Sequence, residues 1–169
     1  MIDLETLSCD SKAVFPVICA VMFDSKTFEI GDIFYQVIGI RDQIKAGRTI
    51  DAATLEWWMK QSDEARSAIF VDQNSIENVL IEFCSWMPKE SIVWANGIDF
   101  DLAILSDAYD REIPWKYWNQ RDVRTVVKLS LLDAKSVPFV GVKHNAKDDC
   151  IHQIALLKEA YKKLGLYHE

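Results

Sequence analysis

MIDLETLSCDSKAVFPVICAVMF, residues 1–23, is the stretch whose reading decides the fold. Residues 1–5 read as the end of one strand. Residues 13–23 read as a second, rich in Val, Ile and Phe, with Pro16 near its start where a missing N–H is tolerated. Residues 28–38 (FEIGDIFYQVI) form a third after a turn near residues 24–27. The apolar period then changes. In residues 51–61 (DAATLEWWMKQ), Leu55, Trp58 and Met59 recur at helical spacing behind Asp51 or Thr54 as cap. Residues 75–86 (SIENVLIEFCSW) put Ile76, Val79, Leu80, Phe83 and Cys84 on one face of an amphipathic helix, with Pro88 beyond its end. A short buried strand at 91–95, a helix over 99–109, a strand near 121–124, a helix over 125–132, a loop to residue 147 and a last helix over 148–164 complete the order. Strands first, then helix and strand in alternation, is an α/β order whose natural solution is a mixed sheet.

The chain has 169 residues, half of them hydrophobic and 27% charged, which is one domain's worth of core and surface. No repeat or linker divides it. No apolar run approaches a membrane span, and the first ten residues have no basic region of the kind a signal peptide carries. The four cysteines (Cys9, Cys19, Cys84, Cys150) show no metal-binding spacing, so reduced, mostly buried thiols in a cytoplasmic protein are expected. A net charge of −7 argues against broad contact with a nucleic-acid backbone. Two divalent cations would offset four of those charges and place positive charge where a phosphate sits, leaving weak, end-directed binding.

Chemistry is suggested by acids that the α/β order brings to strand ends. Asp3 and Glu5, two apart on a strand, point to one face about 6–7 Å apart, within reach of a metal pair ~3.5–4 Å wide. A D-x-E taken alone reads first as a solvated pair; its position at a central strand's C-terminal end is what qualifies it. Asp101 follows the strand at 91–95 through WANGIDFD and sits in a helical first turn, projecting back over the strand ends; the alternative is a helix-start charge. In GVKHNAKDDCIHQIALL, Asp149 opens the last helix, and His144 lies five residues earlier on a loop rich in Gly, Lys and Asn. A metal ligand suits a rigid helix end, while a general base can sit on a mobile loop. Asp148 reads as a helix-start charge rather than a fifth ligand, and His152 and His168 as histidines without a chemical role.

These segments together resemble the DEDDh exonuclease superfamily. Its D-x-E-T motif matches Asp3 to Thr6, N-x-x-x-F-D matches Asn96 to Phe100 and Asp101, and H-x-A-x-x-D matches His144, Ala146 and Asp149. TLEWWMKQSDEAR (54–66) and RDVRT (121–125) are similar to the RNase T-like branch that contains phage exonuclease A and a mycobacterial exoribonuclease. The resemblance spans residues 1–169 as a single domain. It implies an RNase H-like fold with a mixed five-stranded sheet in the order 3-2-1-4-5, flanked by helices, and a homodimer. It also implies release of nucleotides from the 3′ end of DNA or RNA. Two departures stand out. Thr6 is followed by Leu7 and Ser8 where the family continues T-G, and only two residues precede Asp3. The central strand is therefore either stunted or begun upstream.

Four carboxylates suit two Mg²⁺ or Mn²⁺ ions, with Asp3 bridging, Glu5 and Asp149 on the nucleophile side and Asp101 on the other. His144 is the expected general base. The resemblance sets the Thr6 and Leu7 backbone against the terminal 3′-OH and brings Asn96 to the site. Trp57 and Trp58 face ~100° apart on one helix; Trp58 is expected inside, with Trp57 either a stacking surface for a terminal base or a core-edge ring. Arg121, Arg124, Lys143 and Lys147 are candidates for phosphate contact or plain solvated charges. Two rival functions stay open: an RNase H-type endonuclease, and a catalytically silent nucleic-acid-binding module of the same fold.

Overall fold

A computed structural model describes residues 1–70, 74–109 and 113–167. The strands are β1 (Ile2–Glu5), β2 (Val17–Phe23), β3 (Ile30–Val37), β4 (Val93–Ala95) and β5 (Gln120–Asp122). The helices are α1 (Ile40–Lys45), α2 (Ala52–Trp58), α3 (Asp63–Ala68), α4 (Ile76–Trp86), α5 (Asp101–Ala108), α6 (Val123–Leu129) and α7 (Ala146–Lys163). The α/β order is as the sequence reads, with α1 and α3 added.

β2 explains the layering. Its VICAVMF run is apolar at nearly every position because both faces are covered. Val17, Cys19 and Val21 turn toward Ala146, Cys150, Ile154 and Leu157 of α7 and Val123 and Val127 of α6. Ile18 and Ala20 turn the other way, onto Val79, Leu80 and Phe83 of α4 and Leu102, Ile104 and Leu105 of α5. β1 follows the same alternation: Met1 belongs to the α7 side and Ile2 and Leu4 to the other. Asp3 and Glu5 share the parity of Met1, so the strand's period of two sends both carboxylates to the α7 face.

The expected five-stranded order 3-2-1-4-5 is corrected. β1, β2 and β3 form one antiparallel sheet, and β4 and β5 a separate parallel pair, with no ladder joining β1 to β4. The cause is local. Met1 and Val21 exchange both backbone hydrogen bonds, so the odd residues of β1 face β2 and the even amides face the outer edge. On that edge the Leu4 amide donates to Asp101 Oδ1 at 3.1 Å. A carboxylate thus takes the place a β4 carbonyl would hold, and β4 has only three residues with which to pair.

Other expectations shift with the packing. α2 begins behind Asp51, whose carboxylate accepts from the Thr54 amide, but only Trp58 is buried; Leu55 and Met59 face solvent. Trp58 Nε1 donates to the Thr6 carbonyl at 2.8 Å, and the Asp51 amide to the Leu7 carbonyl, so this short helix is pinned to the turn after β1. Cys84 is exposed rather than on the buried face of α4. Cys9 is exposed as well, leaving Cys19 and Cys150 as the buried thiols.

Asp122 joins the two βα turns beside the site. It caps α6 through the Arg124 and Thr125 amides and the Thr125 hydroxyl, and accepts the Gly97 amide at 3.0 Å. Removing it with Asp122→Ala strips a helix cap and leaves the Gly97 amide without its acceptor. We expect a loss of about 1–3 kcal/mol in urea unfolding, and a loss below half a kcal/mol would show that the tie is dispensable.

Candidate active site

Three carboxylates meet where β1 ends and α7 begins. Asp3, Glu5 and Asp149 each offer an oxygen, all within 4.8 Å of one another. Parity places the first two; Asn145, whose side chain accepts from the Lys147 and Asp148 amides, starts α7 so that Asp149 falls in its first turn. Glu5 is buried, and its Oε1 has no hydrogen-bond partner. Asp101 lies outside this tight group. It is buried at the start of α5 with Oδ1 on the Leu4 amide, close enough that its charge acts on both Asp3 and Glu5.

Burial raises every one of these acids, and repulsion within the cluster adds to it at Asp3 and Glu5. Asp3 is pushed well above the usual carboxylate range by burial, then by Asp101, Glu5 and Asp149, against a hydrogen bond from Gln153. Burial, with Asp149 and Asp101, lifts Glu5 to about 8. Burial lifts Asp101 to about 7 despite the Leu4 amide and the Arg124 charge, and Asp149 to about 6 despite the His144 amide. Four acids that resist ionising alone, one with an unbonded buried oxygen, are an oxygen-donor set that fits hard divalent cations.

His144 stands beside them on the loop before α7. Its φ of 62° is left-handed, a conformation histidine adopts more readily than most side chains. This turn aims its amide at the Asp149 carboxylate. Its ring meets Trp57 edge-on, centroids 4.7 Å apart. Burial, then Lys143, lowers its pKa and favours the neutral imidazole.

The remaining predicted residues divide. A groove of about 470 Å³ runs beside Glu5, lined by Thr6, Thr54, Trp57, Trp58 and Phe100. Trp57 is 41% exposed and so presents a ring surface there, whereas Leu7 is in the core with its amide on Val14 and its carbonyl on Asp51. Asn96 is half-buried at the end of β4. Arg124 is exposed, its guanidinium covering Gly97 so closely that a Cβ there would lie 3.0 Å from it. Arg121 is occupied by the Trp118 and Gln120 carbonyls. His152 packs on Phe139, and His168 lies outside the described residues. A second cavity, about 320 Å³ near the start of β1, touches none of the acids.

Gln153 was missed. It sits one turn after Asp149 and donates from Nε2 to Asp3 Oδ1 at 2.7 Å. The i, i+4 spacing from Asp149 is the only sequence signal that could have found it.

An α/β framework that gathers buried carboxylates at strand ends has the layout of an acid-centred nuclease. A model of the family described as the 3′-5′ exoribonuclease Rv2179c-like domain matches residues 1–161, and the chain belongs to that family. It is also similar to the exodeoxyribonuclease of Enterobacteria phage T4, 27% identical over 201 aligned positions that cover 96% of this chain and 88% of that protein. Among the described residues no helix is long and apolar enough to cross a membrane.

The raised acids set a pH dependence for the metal-free protein. Because their folded pKa values exceed the unfolded ones, the folded state holds more protons between about pH 4 and 8. Stability is therefore greatest at the acid end of that window and falls as pH rises through it. Thermal unfolding in EDTA should give a Tm that drops from pH 5 to 8, and millimolar Mn²⁺ should reverse the drop. A Tm in EDTA that rises over this range would contradict raised pKa values in the acid cluster.

Proposed function

We propose that the chain is a divalent-metal-dependent 3′→5′ exonuclease acting on the 3′ end of DNA or RNA, with residues 1–169 as one catalytic domain. What carries the reading is the meeting of Asp3, Glu5 and Asp149 around an unbonded, buried Glu5 oxygen, in a chain of a 3′-5′ exonuclease family. Two Mg²⁺ or Mn²⁺ ions held there would neutralise charge on the scissile phosphate and make a hydroxide-strength nucleophile accessible at neutral pH.

The chain's own residues supply the rest. Asp3, centred among the acids and steadied by Gln153, would be the central ligand of the ions. Glu5 and Asp149 would hold the ion that serves the nucleophile, and Asp101 the one that serves the leaving group. His144, neutral at pH 7, takes the proton of the attacking water. Arg124, close to Asp101, offsets phosphate charge. Trp57 offers its exposed face to the terminal base. The backbone at Thr6 and Leu7 follows Glu5 directly and is assigned to the 3′ end, with Leu7 anchoring that turn through Val14 and Asp51 and Asn96 at the neighbouring turn. All five proposed catalytic side chains come from one polypeptide, so the implied homodimer is not needed to complete the site.

The family description speaks of RNA and the phage relative's name of DNA; both substrates end in a 3′ nucleotide. The test uses 5′-labelled single- and double-stranded DNA and RNA with Mg²⁺, Mn²⁺ or EDTA. We expect a descending ladder from the 3′ end, abolished by EDTA, and a drop of roughly 10²- to 10⁴-fold in His144→Ala. Cleavage of a circular single strand would point instead to an RNase H-type endonuclease. Chelator-insensitive binding without mononucleotide release would point to a silent binding module.

A further inference from the structure

We propose that Asp148 is a positioning residue whose carboxylate clamps the loop carrying His144 and so fixes where the imidazole stands; this rests on His144 being the general base. The carboxylate is turned away from the acid cluster. Among the described residues the closely spaced acids are Asp3, Glu5 and Asp149, without Asp148. Instead Asp148 Oδ2 accepts the Val142 amide at 2.8 Å, reaching six residues back across His144.

A second feature converges on the same oxygen. Gly141 has φ +110°, a backbone that side-chain-bearing residues rarely adopt. A Cβ at Gly141 would also lie 2.4 Å from Asp148 Oδ2 and 2.5 Å from its Cγ. The loop backbone is therefore pressed onto the carboxylate at the one residue that permits both the conformation and the approach. Three residues on, the His144 amide lies near enough to Asp149 to lower its pKa, and Asn145 caps α7 through Lys147 and Asp148. His144 is thus held between two adjacent acids with separate tasks: Asp149 faces the cluster, and Asp148 faces the loop. Val142 cannot shift far without breaking its charge-assisted hydrogen bond to Asp148, and His144 is two residues along the same loop. A base displaced by ~1 Å from its water loses roughly 10²-fold in rate, so the clamp bears directly on turnover.

The test compares the full chain with Asp148→Ala, Asp148→Asn and Gly141→Ala. Three quantities are read: kcat and KM on a 5′-labelled oligonucleotide, Mn²⁺ affinity by electron paramagnetic resonance, and the His144 ring signals by NMR, assigned with His144→Ala. The Asn amide oxygen still accepts the Val142 amide while the charge is gone. We expect Asp148→Ala and Gly141→Ala to lose about 10- to 100-fold in kcat, with Mn²⁺ affinity unchanged and His144 signals shifted or broadened. Asp148→Asn should keep near-parental kcat and ring signals.

Equal losses in Asn and Ala, with weakened Mn²⁺ binding in both, would overturn the clamp in favour of a charge at the metal site. Unchanged kcat and ring signals in all three variants would overturn it as well. Should Asp148→Ala fail to fold, Gly141→Ala and Asp148→Asn still decide. The NMR arm reads the clamp even in a protein without nuclease activity, so failure of the clamp and failure of the exonuclease reading are distinguishable.

Discussion

Carboxylates crowded out of water repel one another, and holding Asp3, Glu5 and Asp149 within 4.8 Å is the constraint on which the rest of this structure depends. Nothing in that group is self-stabilising without a cation. Its supports come from every element that borders it. Gln153 of α7 holds Asp3, the Leu4 amide holds Asp101, and the nearby His144 amide lowers the pKa of Asp149. Glu5 Oε1 keeps no partner, and neither does the amide oxygen of Gln153. A fold that supports its acids by hydrogen bonds yet leaves a buried Glu5 oxygen unsatisfied has stored a cost that cation binding would relieve.

The same constraint accounts for the broken sheet. Extending the ladder from β1 to β4 would require the Leu4 amide to meet a strand carbonyl, yet Asp101 takes it. The hydrogen bond that steadies an acid is the one the sheet gives up. Continuity is restored by packing: β1, β4 and α5 share one apolar cluster through Ile2, Leu4, Val93, Ala95 and Leu102. Stability is carried by burial on both faces of β2, while the strand ends are left to chemistry.

How much of this was legible in the sequence follows from which signals are local. The parity of Asp3 and Glu5 is a property of any strand, so their shared face needed no coordinates. The apolar face of α4, the Asp51 cap and the buried Trp58 were equally readable from spacing. Cys84 was misplaced because helical period marks a face but does not say how wide the buried stripe is. The five-stranded order failed because a side-chain acceptor displaced a backbone one, which no strand pattern encodes. Gln153 and the loop-facing turn of Asp148 were hidden for a related reason. Each depends on a partner distant in space or on a left-handed glycine, and composition alone gives neither. The looseness expected of the His144 loop was likewise read from Gly, Lys and Asn content, whereas its Gly141 serves close packing.

The measurement that bears most directly on the acid cluster is anomalous diffraction from a crystal grown with Mn²⁺ and a nucleoside 5′-monophosphate. Two peaks roughly 3.5–4 Å apart, bridged by Asp3 and flanked by Glu5, Asp149 and Asp101, are the predicted result. Acids left bare in saturating Mn²⁺, or manganese bound only elsewhere on the chain, would contradict it.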